Sequence, residues 1–153
     1  KTTPSDAMGS DNAFTSLTPT QQANLDLVTR AGTMIRTGFA NADEDLFTDG
    51  FVFHFFNPRL DELHGDHHGY EGFRSFFERL DQGSDTGFHS EPHSLTPYGD
   101  ELVVAYATNT VSFNDALLDV DAVVVWRIAN GRISEAWDIP AINTVRLREP
   151  KPT

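Results

Sequence analysis

The chain has 153 residues, 39% of them hydrophobic, with 12 Phe and a net charge of −12 from 23 acidic and 11 basic side chains. That length and apolar content fit one domain with a sizeable core, and the acidic balance disfavours nucleic acid and anionic membranes as partners. The lack of cysteine excludes disulfides, thiolate nucleophiles and Cys-based zinc sites; no apolar run approaches the ~20 residues that cross a bilayer, and a cytoplasmic location is expected.

Residues 1–17 are small and polar and read as a flexible N-terminal segment, with Met8 a candidate native start. Thr18-Pro19-Thr20-Gln21 is a capping box with Pro at the first helical position. It opens a helix predicted over 19–37, with Leu25, Val28, Ile35 and Phe39 on its apolar stripe. A second short helix is expected over 41–46, with Asp43 and Glu44 in its first turn.

Phe51 to Phe56 is a strand, apolar on both faces, that Asn57-Pro58 ends. A loop is expected over 59–69. Tyr70, Phe73, Phe76, Phe77 and Leu80 then recur at helical spacing and predict a helix over 70–81. Strands follow at about 87–97, 101–113 and 116–129, separated by Pro97-Tyr98-Gly99-Asp100 and Asn114-Asp115.

Asn130-Gly131 between two β-rich runs signals a hairpin with a two-residue turn. Such a turn sets Arg127 opposite Ser134, Val125 opposite Ala136 and Val123 opposite Asp138. Asp138 would then sit among valines and an alanine, where a carboxylate is costly to bury.

The expected order is α-α-β-α-β-β-β-β, an α+β fold, with the domain spanning 18–145 and a C-terminal tail over 146–153. Both sheet faces look apolar over 102–107 and 122–128. The helices can cover one of them. The other, with Trp126 and Trp137, is expected to form a homodimer.

With those elements placed, the chain resembles the SnoaL-like proteins of the nuclear-transport-factor-like superfamily, which also holds ketosteroid isomerase and scytalone dehydratase. The family often reads Y-x-Q-H-N-P and then G-x-E-x-F-x-x-F-F, matched here by Asn57-Pro58 and by Gly69, Glu71, Phe73, Phe76 and Phe77. It commonly closes D-x-F-R-V-x-x-G-K-I-x-E-H-W-D, matched by Arg127-Ile128, Gly131-Arg132-Ile133, Glu135 and Trp137-Asp138. The resemblance implies a cone-shaped α+β barrel, a curved sheet wrapped by helices around an apolar pocket. It also implies that an aspartate at the position of Asp138 serves as acid/base in polyketide cyclases. Three polar family positions are replaced here by Phe56, Val124 and Ala136, which predicts a larger, more apolar pocket.

Asp138 is the leading catalytic candidate, because burial raises a carboxyl toward a pKa useful for moving a proton beside a carbonyl. His54, mid-strand among phenylalanines, is a candidate second acid/base. His68, just before the third helix, is a candidate pocket residue, and Tyr106 a candidate carbonyl polariser. Phe56, Phe73, Phe77, Val123, Val125, Arg127 and Ala136 are the candidate substrate contacts, Arg127 as an anion anchor. The His-rich stretch 61–68 and His89-x-Glu91-x-His93 read as polar loop and strand surface, so no metal is expected.

Neither a P-loop, a dinucleotide glycine pattern nor a serine nucleophile elbow is present, and no cofactor is expected. The expected function is a cofactor-free cyclase, isomerase or dehydratase of secondary metabolism acting on a small hydrophobic carbonyl compound. One alternative is a non-catalytic ligand-binding or dimeric interaction domain. Another is epoxide-hydrolase-type water addition by Asp121, Arg127 and Asp138. Against the last, Asp121 and Arg127 lie six residues apart, ~20 Å along a strand.

Overall fold

A computed structural model describes residues 16–148; Met8, most of the N-terminal segment and the last residues of the tail lie outside them. Helix α1 spans Pro19–Arg36 and begins where the capping box requires. The Thr18 hydroxyl accepts from the Gln21 amide at 3.0 Å, and the Gln21 side chain accepts from the Thr18 amide at 3.1 Å. Its apolar stripe buries Val28, Ala31 and Met34. The first turns of α1 are tied to the sheet: Gln21 Nε2 donates to the Gly99 carbonyl at 3.2 Å and the buried Asn24 Nδ2 to the Asp100 carbonyl at 2.9 Å.

The helix expected over 41–46 is a single 3-10 turn, Glu44–Leu46, capped by the Asp43 carboxylate on the Asp45 amide. So few residues cannot repay helix nucleation, and the buried Leu46 and Phe47 draw the chain straight into a strand. That strand, β1 (Phe47–Phe55), starts earlier than its apolar run because Thr48-Asp49-Gly50 interrupts the pattern. The expected loop contains a short strand, β2 (Gly65–His68), antiparallel to β1. Helix α2 (Gly69–Gln82) follows and buries Phe73, Phe76 and Phe77.

The remaining strands are β3 (His89–Tyr98), β4 (Leu102–Phe113), β5 (Ala116–Ala129), β6 (Arg132–Pro140) and β7 (Arg146–Arg148). The sheet order is β2-β1-β6-β5-β4-β3, with β7 beside β5. Only the β1–β6 pairing is parallel among the described strands. Both helices pack on this mixed, mostly antiparallel sheet, giving the expected cone-shaped α+β fold. Its core is aromatic: the Phe53 ring lies 5.2, 4.9 and 5.6 Å from those of Phe73, Phe76 and Phe77.

The β5–β6 hairpin departs from the expected register. Asn130 and Gly131 have φ of 52° and 78°, as the turn demands. Ile128 pairs with Ile133, but Arg127 pairs with Glu135, so Ser134 is an extra residue in β6. Its hydroxyl donates to the Arg127 carbonyl at 3.3 Å. This bulge moves every later residue of β6 by one place against β5. Val124, not Val123, faces Asp138, and Trp126, not Val125, faces Ala136. Trp126 therefore belongs to the core, 4% exposed, and not to the outer face where a dimer contact was expected.

A methyl group at Gly131 meets no atom within 4 Å, so replacing it tests the turn conformation alone. Gly131→Ala should cost about 1–2 kcal/mol, the penalty for an L-residue at positive φ. Chemical denaturation monitored by circular dichroism measures it.

Candidate active site

A cavity of about 180 Å³ lies between α1, the start of β3 and the inner face of β4, β5 and β6. Its space comes from small side chains. Gly32 faces it from α1, Ala105 and Ala107 from β4, and Ala122 from β5. Ile35, Phe77, Phe88 and Leu95 close its sides. The floor is Val124 and Trp126 of β5 with Asp138 of β6.

Asp138 is 6% exposed, and its Oδ1 has no hydrogen-bond partner. Trp126 Nε1 is likewise buried without a partner. Burial pushes the Asp138 carboxyl up from 3.8 to about 7, with no neighbouring charge contributing. The Ser134 bulge brings this about. Without it, alternation would turn Asp138 to the face that carries Glu135 and Trp137 in the structure.

The other sequence candidates are distributed differently. Phe77 lines the cavity, whereas Phe73 is fully buried in the aromatic core and Ala136 lies beneath Trp126. Phe56, one residue past β1, is 46% exposed. Val123, Val125 and Arg127 project from the outer face, because the bulge exchanged the two faces of β5 relative to Asp138. Tyr106 borders the cavity, but it pairs with Val123 and its ring packs 4.7 Å from that of His93 on the outer side. His68 is exposed at the N-cap of α2, away from the cavity.

His54 does not meet Asp138. It sits on the outer face between two carboxylates, with Nδ1 2.6 Å from Asp66 and Nε2 2.6 Å from Glu135, and stacks on Trp137. Burial alone would lower its pKa. The hydrogen bonds and negative charge of Asp66 and Glu135 outweigh that and raise it. Arg127 extends the cluster, 3.3 Å from Glu135 and over the Trp137 ring at 5.0 Å.

The proposed water-activating trio is not assembled either. Asp121 lies on the outer face, where Arg146 binds it in bidentate fashion at 2.7 and 3.0 Å and Thr108 donates at 2.9 Å. The Arg146 hydrogen bond leads in holding its carboxyl down at about 2. Among residues 61–68, His64 Nδ1 accepts from the Asn57 amide and His67 Nε2 donates to the Leu63 carbonyl. Among the described residues no group of three or more His, Asp or Glu is placed to hold a metal.

The model of the SnoaL-like domain matches residues 28–136, more than two thirds of the chain. The protein belongs to the SnoaL-like family. Solved structures agree on the fold. Bal32a, from a soil-derived mobile gene cassette, superposes with a TM-score of 0.71 at 22% identity, covering 80% of this chain and 92% of that one. A protein from Jannaschia sp. CCS1 described as a SnoaL-like polyketide cyclase gives 0.67 at 19% identity, covering 84% and 92%. An LEH-like epoxide hydrolase of M. tuberculosis gives 0.64 at 14% identity, covering 82% and 87%. No curated protein matches the chain. In this SnoaL-like chain the family match ends two residues before Asp138, so the carboxylate's placement rests on the strand geometry.

The sign of the Asp138 shift fixes a pH dependence. Between about pH 4 and 7 the folded protein keeps a proton that the unfolded chain has lost, so this contribution to stability falls as pH rises through that window. Above it the buried anion costs up to ~4 kcal/mol, the free energy that corresponds to moving the carboxyl from 3.8 to about 7. Asp138→Asn should melt higher than wild type at pH 9 in scanning calorimetry, with the gap closing toward pH 5.

Proposed function

We propose that the protein is a cofactor-free acid/base enzyme acting on a small hydrophobic carbonyl compound held in the cavity. One observation carries this reading: a carboxyl buried without a partner among apolar side chains, in a space large enough for a ligand. An apolar cavity of ~150 Å³ accepts benzene, so about 180 Å³ suits a one- or two-ring body, with any larger part extending through the mouth.

Asp138, its carboxyl pushed up by burial to about 7, takes a proton when ionised from the carbon next to the carbonyl and leaves an enolate. Returning that proton to another carbon completes an isomerisation. Attack of the enolate carbon on a second carbonyl forms the ring bond, and the resulting alkoxide takes the proton back from Asp138, completing a cyclisation; loss of a β-hydroxyl, protonated by Asp138 and leaving as water, completes a dehydration. The apolar walls orient the substrate and exclude competing water. Water addition to an epoxide is the weaker reading, since Asp121 and Arg127 face away from Asp138.

The test is hydrogen–deuterium exchange at the α-carbon of 1-tetralone, a two-ring ketone, followed by NMR near neutral pH. Wild type should accelerate exchange over buffer, and Asp138→Asn should lose about a hundredfold or more. Equal exchange by both proteins removes Asp138 from the chemistry. Binding without exchange leaves a ligand-binding domain.

We also propose a homodimer through the outer sheet face. Tyr106, Val123 and Ile139 leave apolar surface there, 39%, 38% and 48% exposed, beside Trp137. The acidic and basic groups at Glu135, Arg127 and His54 would form its polar rim. Val123→Glu should shift the molar mass in light scattering from dimer to monomer while leaving the circular dichroism spectrum intact.

A further inference from the structure

We propose that the Trp126 indole N–H is the anchor for the substrate's oxygen, so that the cavity selects ligands carrying a hydrogen-bond acceptor next to the carbon that Asp138 addresses. The proposal rests on the reading of the cavity as a substrate site and adds the residue that sets its specificity.

Among the described residues two buried side-chain polar atoms lack a partner, Trp126 Nε1 and Asp138 Oδ1, and both residues line this one cavity. Buried polar groups are ordinarily satisfied, and each orphan is destabilising. An indole offers a donor and nothing else, and an ionised carboxylate offers acceptors and nothing else. The pair is therefore chemically complementary to a ligand that presents an acceptor to one and an acidic hydrogen to the other. A ketone does this: its oxygen accepts from Trp126 and its α-hydrogen goes to Asp138.

The geometry favours one ligand contacting both. Trp126 pairs with Ala136 and Val124 with Asp138, so Trp126 and Asp138 are diagonal neighbours on the same sheet face. The Trp126 ring is also held in place. It is 4% exposed and meets the Phe73 ring edge-to-face at 6.2 Å. A donor fixed before the ligand arrives stabilises negative charge developing on the ketone oxygen without further reorganisation.

Sites built to hydrogen-bond a substrate oxygen reject analogues that lack it, because the donor is then left unpaired. The probes are 1-tetralone and tetralin, which differ in that oxygen. Binding is measured at pH 9, where Asp138 is ionised and cannot donate to the ketone. Wild type should prefer tetralone by about tenfold or more, the value of one buried hydrogen bond. Trp126→Phe should bind both with similar affinity. In the wild-type protein the Trp126 indole N–H resonance, assigned by its survival in Trp137→Phe, should move downfield with tetralone and not with tetralin; this readout does not depend on how well Trp126→Phe folds.

Retention of the preference in Trp126→Phe, or an indole resonance indifferent to the ketone, overturns the anchor. So does wild type binding neither probe. The acid/base reading is scored separately, by α-hydrogen exchange in Asp138→Asn. A ketone preference without exchange keeps the anchor and discards the base; exchange without a preference does the reverse.

Discussion

One extra residue in a strand decides what this molecule presents to its interior. Side chains in a strand alternate with a period of two, so a one-residue slip exchanges the faces of everything beyond it. Ser134 supplies that slip between Ile133 and Glu135. Beyond it Ala136 and Asp138 point inward, and Glu135 and Trp137 point outward. The cavity floor, the outer charged cluster and the parallel pairing of β6 with β1 all inherit this choice.

The two faces of β6 handle charge in opposite ways. On the outer side Glu135 shares His54 with Asp66 and meets Arg127, so its charge is surrounded by hydrogen bonds and opposite charge. Three residues along the same strand, Asp138 has neither. Ion pairs of the first kind at partly exposed positions add little net stability. A lone interior carboxyl subtracts from it. The second arrangement lowers stability above neutral pH, where the carboxyl has to ionise without a partner.

Much of the architecture was legible in the residues. The capping box at Thr18, the aromatic helix predicted over 70–81, the Asn130-Gly131 turn and the α+β order each rest on local chemistry that tertiary packing did not override. Asp138 was legible as a buried carboxylate, although the neighbours assigned to it, Val123 and Val125, were those of the wrong face. A bulge leaves no clear mark in a run such as Arg132-Ile133-Ser134-Glu135-Ala136, so the sequence sets Arg127 and Val123 on the face of Asp138 when the structure turns them away. The face of His54 is not legible at all, because its strand is apolar on both sides. The walls of the cavity were missed for another reason. Gly32, Ala105, Ala107 and Ala122 matter through the volume they leave empty, and pattern reading attends to large and charged side chains. A glycine in mid-helix, where it is disfavoured by up to ~1 kcal/mol relative to Ala, and an Ala-x-Ala alternation in a long strand were the available signals.

Helix α1 is held to the sheet unevenly. Gln21 and Asn24 bond its beginning to the backbone of the β3–β4 turn. Its other end, from Val28 to Arg36, covers the cavity and makes no hydrogen bond to the sheet among the described residues. Directional bonds resist displacement sharply, whereas dispersion contacts between smooth apolar surfaces yield gradually and reform in shifted positions. The start of the helix is thus fixed by direction and its later turns by fit, through Val28, Ala31 and Met34 packed into the core and Arg30 bonded to Asp43. A substitution at Gly32 or Ile35 would reshape the roof of the cavity without breaking any bond to the sheet, so this wall is open to change through sequence while the floor keeps its form.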